Sequence, residues 1–186
     1  MREARREQGF TLIEILVVLM IVAIVTSAAL LSFGNIRDDR GLRTEARRFA
    51  ALLELALDEA TLQGRDFGIE FMTGSYRFVE YDAYTARWAA VPGDDTLRLR
   101  ELPDDVEIEL YLEDKRILLR DSPAAFDDPD DRSLLATGNF YAPHLLIYSS
   151  GDATPFEIHL WRSTDDRRVV VHGDALGAVK ISDDDE

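Results

Sequence analysis

The chain contains no cysteine, so disulfide scaffolds, thiolate zinc sites and cysteine nucleophiles are all excluded. Histidine is almost as scarce, and the three present, His144, His159 and His172, are scattered through the second half of the chain. There is no His-Glu-x-x-His zinc helix and no glycine-rich phosphate loop, and Ser149-Ser150-Gly151 lacks the flanking glycine of a nucleophile elbow. Basic residues are outnumbered, 21 Lys and Arg against 36 Asp and Glu, for a formal net charge of -15. Affinity for nucleic acid depends on Lys and Arg neutralising phosphates, so no nucleic-acid partner is expected. Paired carboxylates are abundant here simply because acids are, so they do not point to a catalytic pair; no enzyme activity, cofactor or metal is assigned. What is present is a globular composition, 46% hydrophobic and 31% charged over 186 residues. That is enough for one core and an appendage.

The appendage is the N-terminus. Residues 1–9 are short and polar, with Arg2, Arg5 and Arg6 set against Glu3 and Glu7. From 10 to 33 follow 24 residues whose single charge is Glu14. As an α-helix this stretch extends about 36 Å at ~1.5 Å per residue, enough to cross a hydrocarbon core of about 30 Å. Arginines ahead of it favour a cytoplasmic N-terminus with the remainder sent outward. A secretory signal has an apolar region of roughly 7 to 15 residues before its cleavage site, and this stretch is longer. A carboxylate inside such a span costs roughly 2.5 to 3.5 kcal/mol and calls for a partner. Cleavage after Gly9 would create one, because Phe10 would then carry a new α-amine. Glu14 lies about 6 Å along the helix from it, at ~1.5 Å per residue, so the amine of one subunit can pair with Glu14 of a neighbour.

The segment Gly9-Phe10-Thr11-Leu12-Ile13-Glu14 resembles the type III signal of type IV pilins and of the pseudopilins of type II secretion. The resemblance implies that a membrane-embedded prepilin peptidase cleaves between Gly9 and Phe10 and methylates the Phe10 amine. It also implies that the apolar segment is retained, first in the inner membrane and later in the core of a filament. A glycine at the cleavage point suits that chemistry, since a backbone without a side chain can enter a tight protease groove.

Gly34-Asn35 is a point where a helix could bend or weaken. Beyond it the pattern turns amphipathic, with Leu42, Ala46, Phe49, Ala50, Leu53, Leu57 and Ala60 at spacings of three and four and charges on the other face. This helix is expected to end near Gln63-Gly64. Its first part, 37–48, has five arginines against three acids, which suits a place beside lipid headgroups. From residue 67 the period changes. Candidate strands are 67–71, 76–81, 87–91, 96–102, 106–112, 116–119, 145–148, 156–161, 168–172 and 178–181, separated by turn formers such as Thr73-Gly74-Ser75 and Pro103-Asp104-Asp105. The segment 106–112 alternates cleanly, as in a strand with one buried and one acidic face. Between 121 and 143 the spacing predicts a long Pro/Asp-rich surface loop. Residues 65–186 hold 13 Lys and Arg against 27 Asp and Glu, a net of -14, so the head carries nearly all of the charge. The block Asp127-Asp128-Pro129-Asp130-Asp131 does not have the spacing of an EF-hand loop.

Tyr148-Ser149-Ser150-Gly151-Asp152-Ala153-Thr154-Pro155-Phe156 and the final segment Val169 through Val179 are similar to the corresponding stretches of the H-type minor pseudopilins of type II secretion. Asp152 stands where that family usually has Glu. Physically, Ser149 to Asp152 reads as a tight turn and Phe156 as a buried aromatic at a strand start. The resemblance implies an α+β, pilin-like fold in which a long N-terminal helix is followed by an antiparallel β head. The expected layout is a leader at 1–9, a transmembrane and filament-core helix at 10–33, its amphipathic continuation at 34–64, a periplasmic head at 65–182 and an acidic tail at 183–186. The implied partners are other minor pseudopilins, the major pseudopilin, the prepilin peptidase and the inner membrane. A minor type IV pilin shares all of these features except the partner set, and at this point stays open. On this reading Gly9→Val blocks processing: immunoblots of the variant are expected to show precursor-length chain only, and mature-length chain at normal yield would refute the signal.

Overall fold

The computed structural model describes residues 12–91, 93, 95–126, 141–164 and 167–183, with the side chains of 28–40 and 183 left aside. The chain divides into two compact units, Met1–Gly41 and Leu42–Glu186. Helix α1 (Leu12–Gln63) contributes to both. All six prolines lie at residue 92 or later, so nothing in this stretch removes a helical hydrogen bond; Gly34 and Asn35 lie within the helix. The helix stops at Gly64, whose φ of 66° is left-handed. There Arg65 N donates to Ala60 O at 3.2 Å, a glycine C-cap.

In the second unit α1 buries Leu42, Ala46, Phe49, Leu53, Ala56 and Ala60, at spacings of four and three. The buried face is rotated slightly from the one the sequence suggested. Leu52 and Ala56 are buried, whereas Ala50 and Leu57 sit half-buried at its margin.

Ten strands follow among the described residues: β1 (Phe67–Met72), β2 (Ser75–Asp82), β3 (Arg87–Ala90), β4 (Arg100–Glu101), β5 (Val106–Leu112), β6 (Lys115–Ile117), β7 (Leu145–Ile147), β8 (Phe156–Arg162), β9 (Arg168–Gly173) and β10 (Val179–Asp183). They form two five-stranded sheets. The first runs β3-β2-β1-β7 with β4 also on β2, and the second runs β10-β9-β8-β5-β6. All the strand pairings are antiparallel. β8 alternates buried and half-buried from Phe156 to Arg162, so Ile158 and Leu160 face the core while Glu157, His159 and Trp161 face away.

The expected strand at 96–102 shrinks to β4. Arg100 Nη2 donates to the Thr96 carbonyl at 2.7 Å and to that of Asp95 at 3.3 Å, folding the preceding residues into a turn while Leu97 is buried. The expected strand at 116–119 moves to 115–117, because the β5–β6 turn uses Glu113 and Asp114, both at positive φ (50° and 62°), and so begins the return strand earlier. Most of the 121–143 loop lies outside the described residues.

The sheets are joined at the β1–β2 turn. Thr73 N donates to Arg120 O at 3.0 Å, Thr73 O accepts from Ile108 N at 2.8 Å, and Gly74 O accepts from Leu102 N at 2.9 Å. Between the sheets, the Phe49 ring from α1 meets Phe71 at 5.6 Å and Tyr76 at 5.3 Å in the first sheet and Phe156 at 5.9 Å in the second. The Tyr76 and Phe156 contacts are edge-on, the arrangement the ring quadrupoles favour. Tyr76 is so enclosed that burial, with the Glu45 carboxylate adding to it, pushes its hydroxyl up to about 12. Removing the Phe49 ring leaves a cavity touching three elements: Phe49→Ala is expected to cost about 3–5 kcal/mol in urea unfolding, whereas Tyr84→Ala, at a fully exposed hairpin tip, changes stability by less than about 0.5 kcal/mol.

Candidate assembly site

The first part of α1 presents apolar side chains all round. Leu12 is 84% exposed, Ile13 70% and Leu19 63%, and Ile15, Leu16, Val17, Val18, Met20, Ile21, Val22, Ile24 and Val25 are exposed as well. A soluble monomer rarely presents a continuous apolar surface of this kind, so it calls for lipid or neighbouring helices. Its hydroxyls are already satisfied locally: Thr26 Oγ1 donates to Val22 O at 2.7 Å and Ser27 Oγ to Ala23 O at 2.8 Å. Such back-bonding removes the cost of taking a hydroxyl into an apolar medium. Glu14 lies in this stretch of α1 and is the one charged residue among Leu12 to Ser27. Gly9 and Phe10 lie outside the described residues. Among the described residues no helix is long and apolar enough to cross a membrane.

In the head, the structure makes the segment from Tyr148 to Phe156 architectural. Gly151 has a φ of 94°, Tyr148 N donates to Asp152 O at 2.8 Å and Gly151 N to Tyr148 O at 2.9 Å. Ser150 Oγ donates to Asp152 Oδ2 at 2.8 Å, and Ser149 N donates to Asp66 Oδ1 at 2.8 Å, tying the turn to the end of α1. Phe156 is buried against Gly173 of the last hairpin, where any Cβ would overlap its ring. Gly177, at φ 75°, similarly approaches Leu57 of α1.

Two of the three histidines, His159 and His172, meet on Glu157, and His144 lies apart from them. His159 has just 14% of its side chain exposed, with Nε2 on Glu157 Oε1 and its ring 4.8 Å from Tyr111. His172 reaches the other oxygen of Glu157 at 3.2 Å. His144 lies on the opposite sheet, where its Nδ1 accepts from Phe71 N at 3.0 Å. The acidic block at 127–131 and the end of the acidic tail lie outside the described residues. Among the described residues no group of three or more His, Asp or Glu is arranged to hold a metal ion.

Sequence reasoning missed a buried ionic cluster in the first sheet. Glu70 of β1 is 4% exposed and stands opposite Arg77 of β2 in register. Its Oε2 accepts from Arg77 Nε at 2.6 Å and from the Tyr141 hydroxyl at 3.0 Å, and its Oε1 accepts from Ala124 N at 2.8 Å. Arg77 Nη2 donates to Ala124 O at 2.6 Å, and its guanidinium lies 4.2 Å from the Phe126 ring centroid and 5.5 Å from that of Tyr141. One carboxylate thus fastens Ala124 and Tyr141, which lie on either side of residues 127–140. With three donors it is well satisfied for its burial. The sequence signal was the Glu70/Arg77 pair at hairpin-register spacing across Thr73-Gly74.

Two family models match the chain: the prokaryotic N-terminal methylation motif over residues 4–30 and type II transport protein GspH over residues 45–177. Type II secretion system protein H of Aeromonas hydrophila is 30% identical over 183 residues, 97% of this chain and 96% of that protein. The protein of the same name from Pseudomonas aeruginosa is 33% identical over 156 residues, 84% of each. Among solved structures, the minor pseudopilin EpsH from the type 2 secretion system of Vibrio cholerae aligns with a TM-score of 0.57 at 21% identity, covering 78% of this chain and 99% of that one. The solution structure of Escherichia coli GspH aligns at 0.53 and 22% identity, covering 75% and 86%. The fold is therefore pilin-like, an N-terminal helix followed by antiparallel sheets.

Proposed function

The chain belongs to the type II transport protein GspH family, and from that membership we propose that it works as a minor pseudopilin of a type II secretion machine. It is a structural subunit, placed near the tip of the short periplasmic pseudopilus, where it joins other minor pseudopilins to the shaft of the major one. The filament acts beneath the outer-membrane secretin and helps drive folded proteins outward. The observation that carries this reading is the pairing, in one chain, of an N-terminal methylation motif at 4–30 with a GspH match at 45–177.

The working parts follow from the residues. Prepilin peptidase removes 1–9 by cutting between Gly9 and Phe10 and methylates the Phe10 amine. Residues 10–33 hold the protein in the inner membrane as a single span and later pack against neighbouring helices in the filament core. The exposed apolar surface of α1 and the internally bonded hydroxyls of Thr26 and Ser27 suit both settings. The carboxylate of Glu14 pairs with the Phe10 amine of an adjacent subunit, which sets the register of assembly, since leaving a charge uncompensated among apolar helices is costly. Residues 34–64 continue the helix into the periplasmic head, whose last strand β10 takes in Asp183, one residue beyond the expected boundary at 182; the remaining acidic residues 184–186 lie outside the described residues. The role is structural and requires no catalysis.

A clean deletion strain, with and without plasmid-borne wild type, tests the placement. Extracellular hydrolase activity is expected to fall and be restored by the plasmid while surface pili and twitching stay intact. Loss of pili or twitching with secretion intact would make the protein a minor type IV pilin instead.

A further inference from the structure

β7 pairs with β1 through Phe67↔Ile147, Gly68↔Leu146 and Ile69↔Leu145. The next rung is made differently. His144 N still donates to Ile69 O at 2.9 Å, but Phe71 N donates to a side-chain atom, Nδ1 of His144, at 3.0 Å. The imidazole takes the place of a strand carbonyl at the point where the chain arrives from Pro143, which packs over Gly68.

This contact fixes the protonation state of the ring. A nitrogen that accepts an amide N–H carries no proton, so His144 is neutral with its proton on Nε2. A second proton would have to go to Nδ1, where it would meet the Phe71 N–H donor to donor. Burial favours the neutral form, holding this histidine below its ordinary value of 6.5; the Glu70 carboxylate opposes that shift and the Arg120 guanidinium adds to it. The charged groups acting on the ring thus come from β1 (Glu70) and from the segment after β6 (Arg120). Arg77 of β2 and Tyr141 of the ring's own segment are held on Glu70 as its donors.

We propose that His144 is a proton-operated latch: neutral, it holds residues 141–144 to the end of β1, and on protonation it lets that segment, with the Tyr141 grip on Glu70, come away while both sheets stay folded. The sign follows from linkage. The opened ring protonates near its ordinary value and the closed ring only at lower pH. The latch is therefore fully effective above about pH 6.5 and weakens as pH falls from there, by at most about tenfold per pH unit for one proton. The consequence for the head is a local change confined to the junction that also carries Ala124 and Tyr141.

Amide hydrogen exchange on the full chain in detergent micelles, read as protection factors from about pH 7.5 to about pH 5, tests this. Protection at Phe71 and His144 is expected to fall with acid, approaching about tenfold per unit at the steepest, while Ile158 and Leu160 of β8 stay protected. In His144→Asn the amide oxygen can occupy the place of Nδ1 and accept the same N–H without titrating, so protection there is expected to be independent of pH. A flat profile in the wild type, or the same slope in His144→Asn, would overturn the latch. Should the variant not fold, the imidazole nitrogen shifts of the wild type decide: an unprotonated Nδ1 at about pH 7.5 that titrates together with the Phe71 amide supports it, and a protonated Nδ1 at that pH refutes it.

Discussion

The head depends on one helical face being shared by two sheets. Phe49 meets Phe71 and Tyr76 of the first sheet and Phe156 of the second, and Leu42, Ala46, Leu53, Ala56 and Ala60 extend that line along α1. Neither sheet could bury its apolar face alone, and the helix has just one face of this kind, so the three close on each other or not at all. The alanines at 46, 56 and 60 are fully buried and leave the large rings at Phe49 to fill the space between sheets. Gly173 against Phe156 and Gly177 against Leu57 remove the side chains that would hold the last hairpin away. Local backbone choices and the core therefore depend on the same packing.

Polar interactions do a different job. The core contact is non-directional, while the Thr73 junction and the Glu70 cluster fix where chain segments enter and leave. Glu70 with Arg77, Tyr141 and Ala124 forms a buried, hydrogen-bonded pair across β1 and β2. Replacing one member leaves the other charge buried and uncompensated, which is far costlier than the pair itself. The acidic surface of the head, net -14 over 65–186, is a separate matter of solubility and of which partners are repelled.

Much of this was legible in the sequence because it rests on short-range rules. The strand at 106–112 alternates, and the structure places β5 at Val106–Leu112. Gly64 marks the helix end, and Ser149 to Asp152 form the expected turn. What failed depended on contacts distant in sequence or on one side chain. The segment 96–102 has strand-like composition, yet the Arg100 guanidinium captures the carbonyls of Asp95 and Thr96 and folds most of it into a turn. Leu52 and Ala56 were passed over because the buried face wraps further round α1 than strict spacing suggests, a consequence of packing against two sheets and not one. The Glu70 cluster draws Ala124 and Tyr141 from 54 and 71 residues away, and no periodicity carries that information. His144 was noted only as one scattered histidine, since its role depends on which amide its ring meets.

Two kinds of surface are thus built into one chain: a head that satisfies itself, and the start of α1, whose apolar side chains do not. Fold and family account for the first, and the assembly role we propose accounts for the second, with Glu14 as the charge that sets register. The most direct measurement is co-purification of Glu14→Ala from detergent-solubilised membranes, with wild type in parallel. The account predicts normal processing, a head as stable as wild type and loss of the other pseudopilins from the purified material. Recovery of those partners at wild-type levels would contradict it.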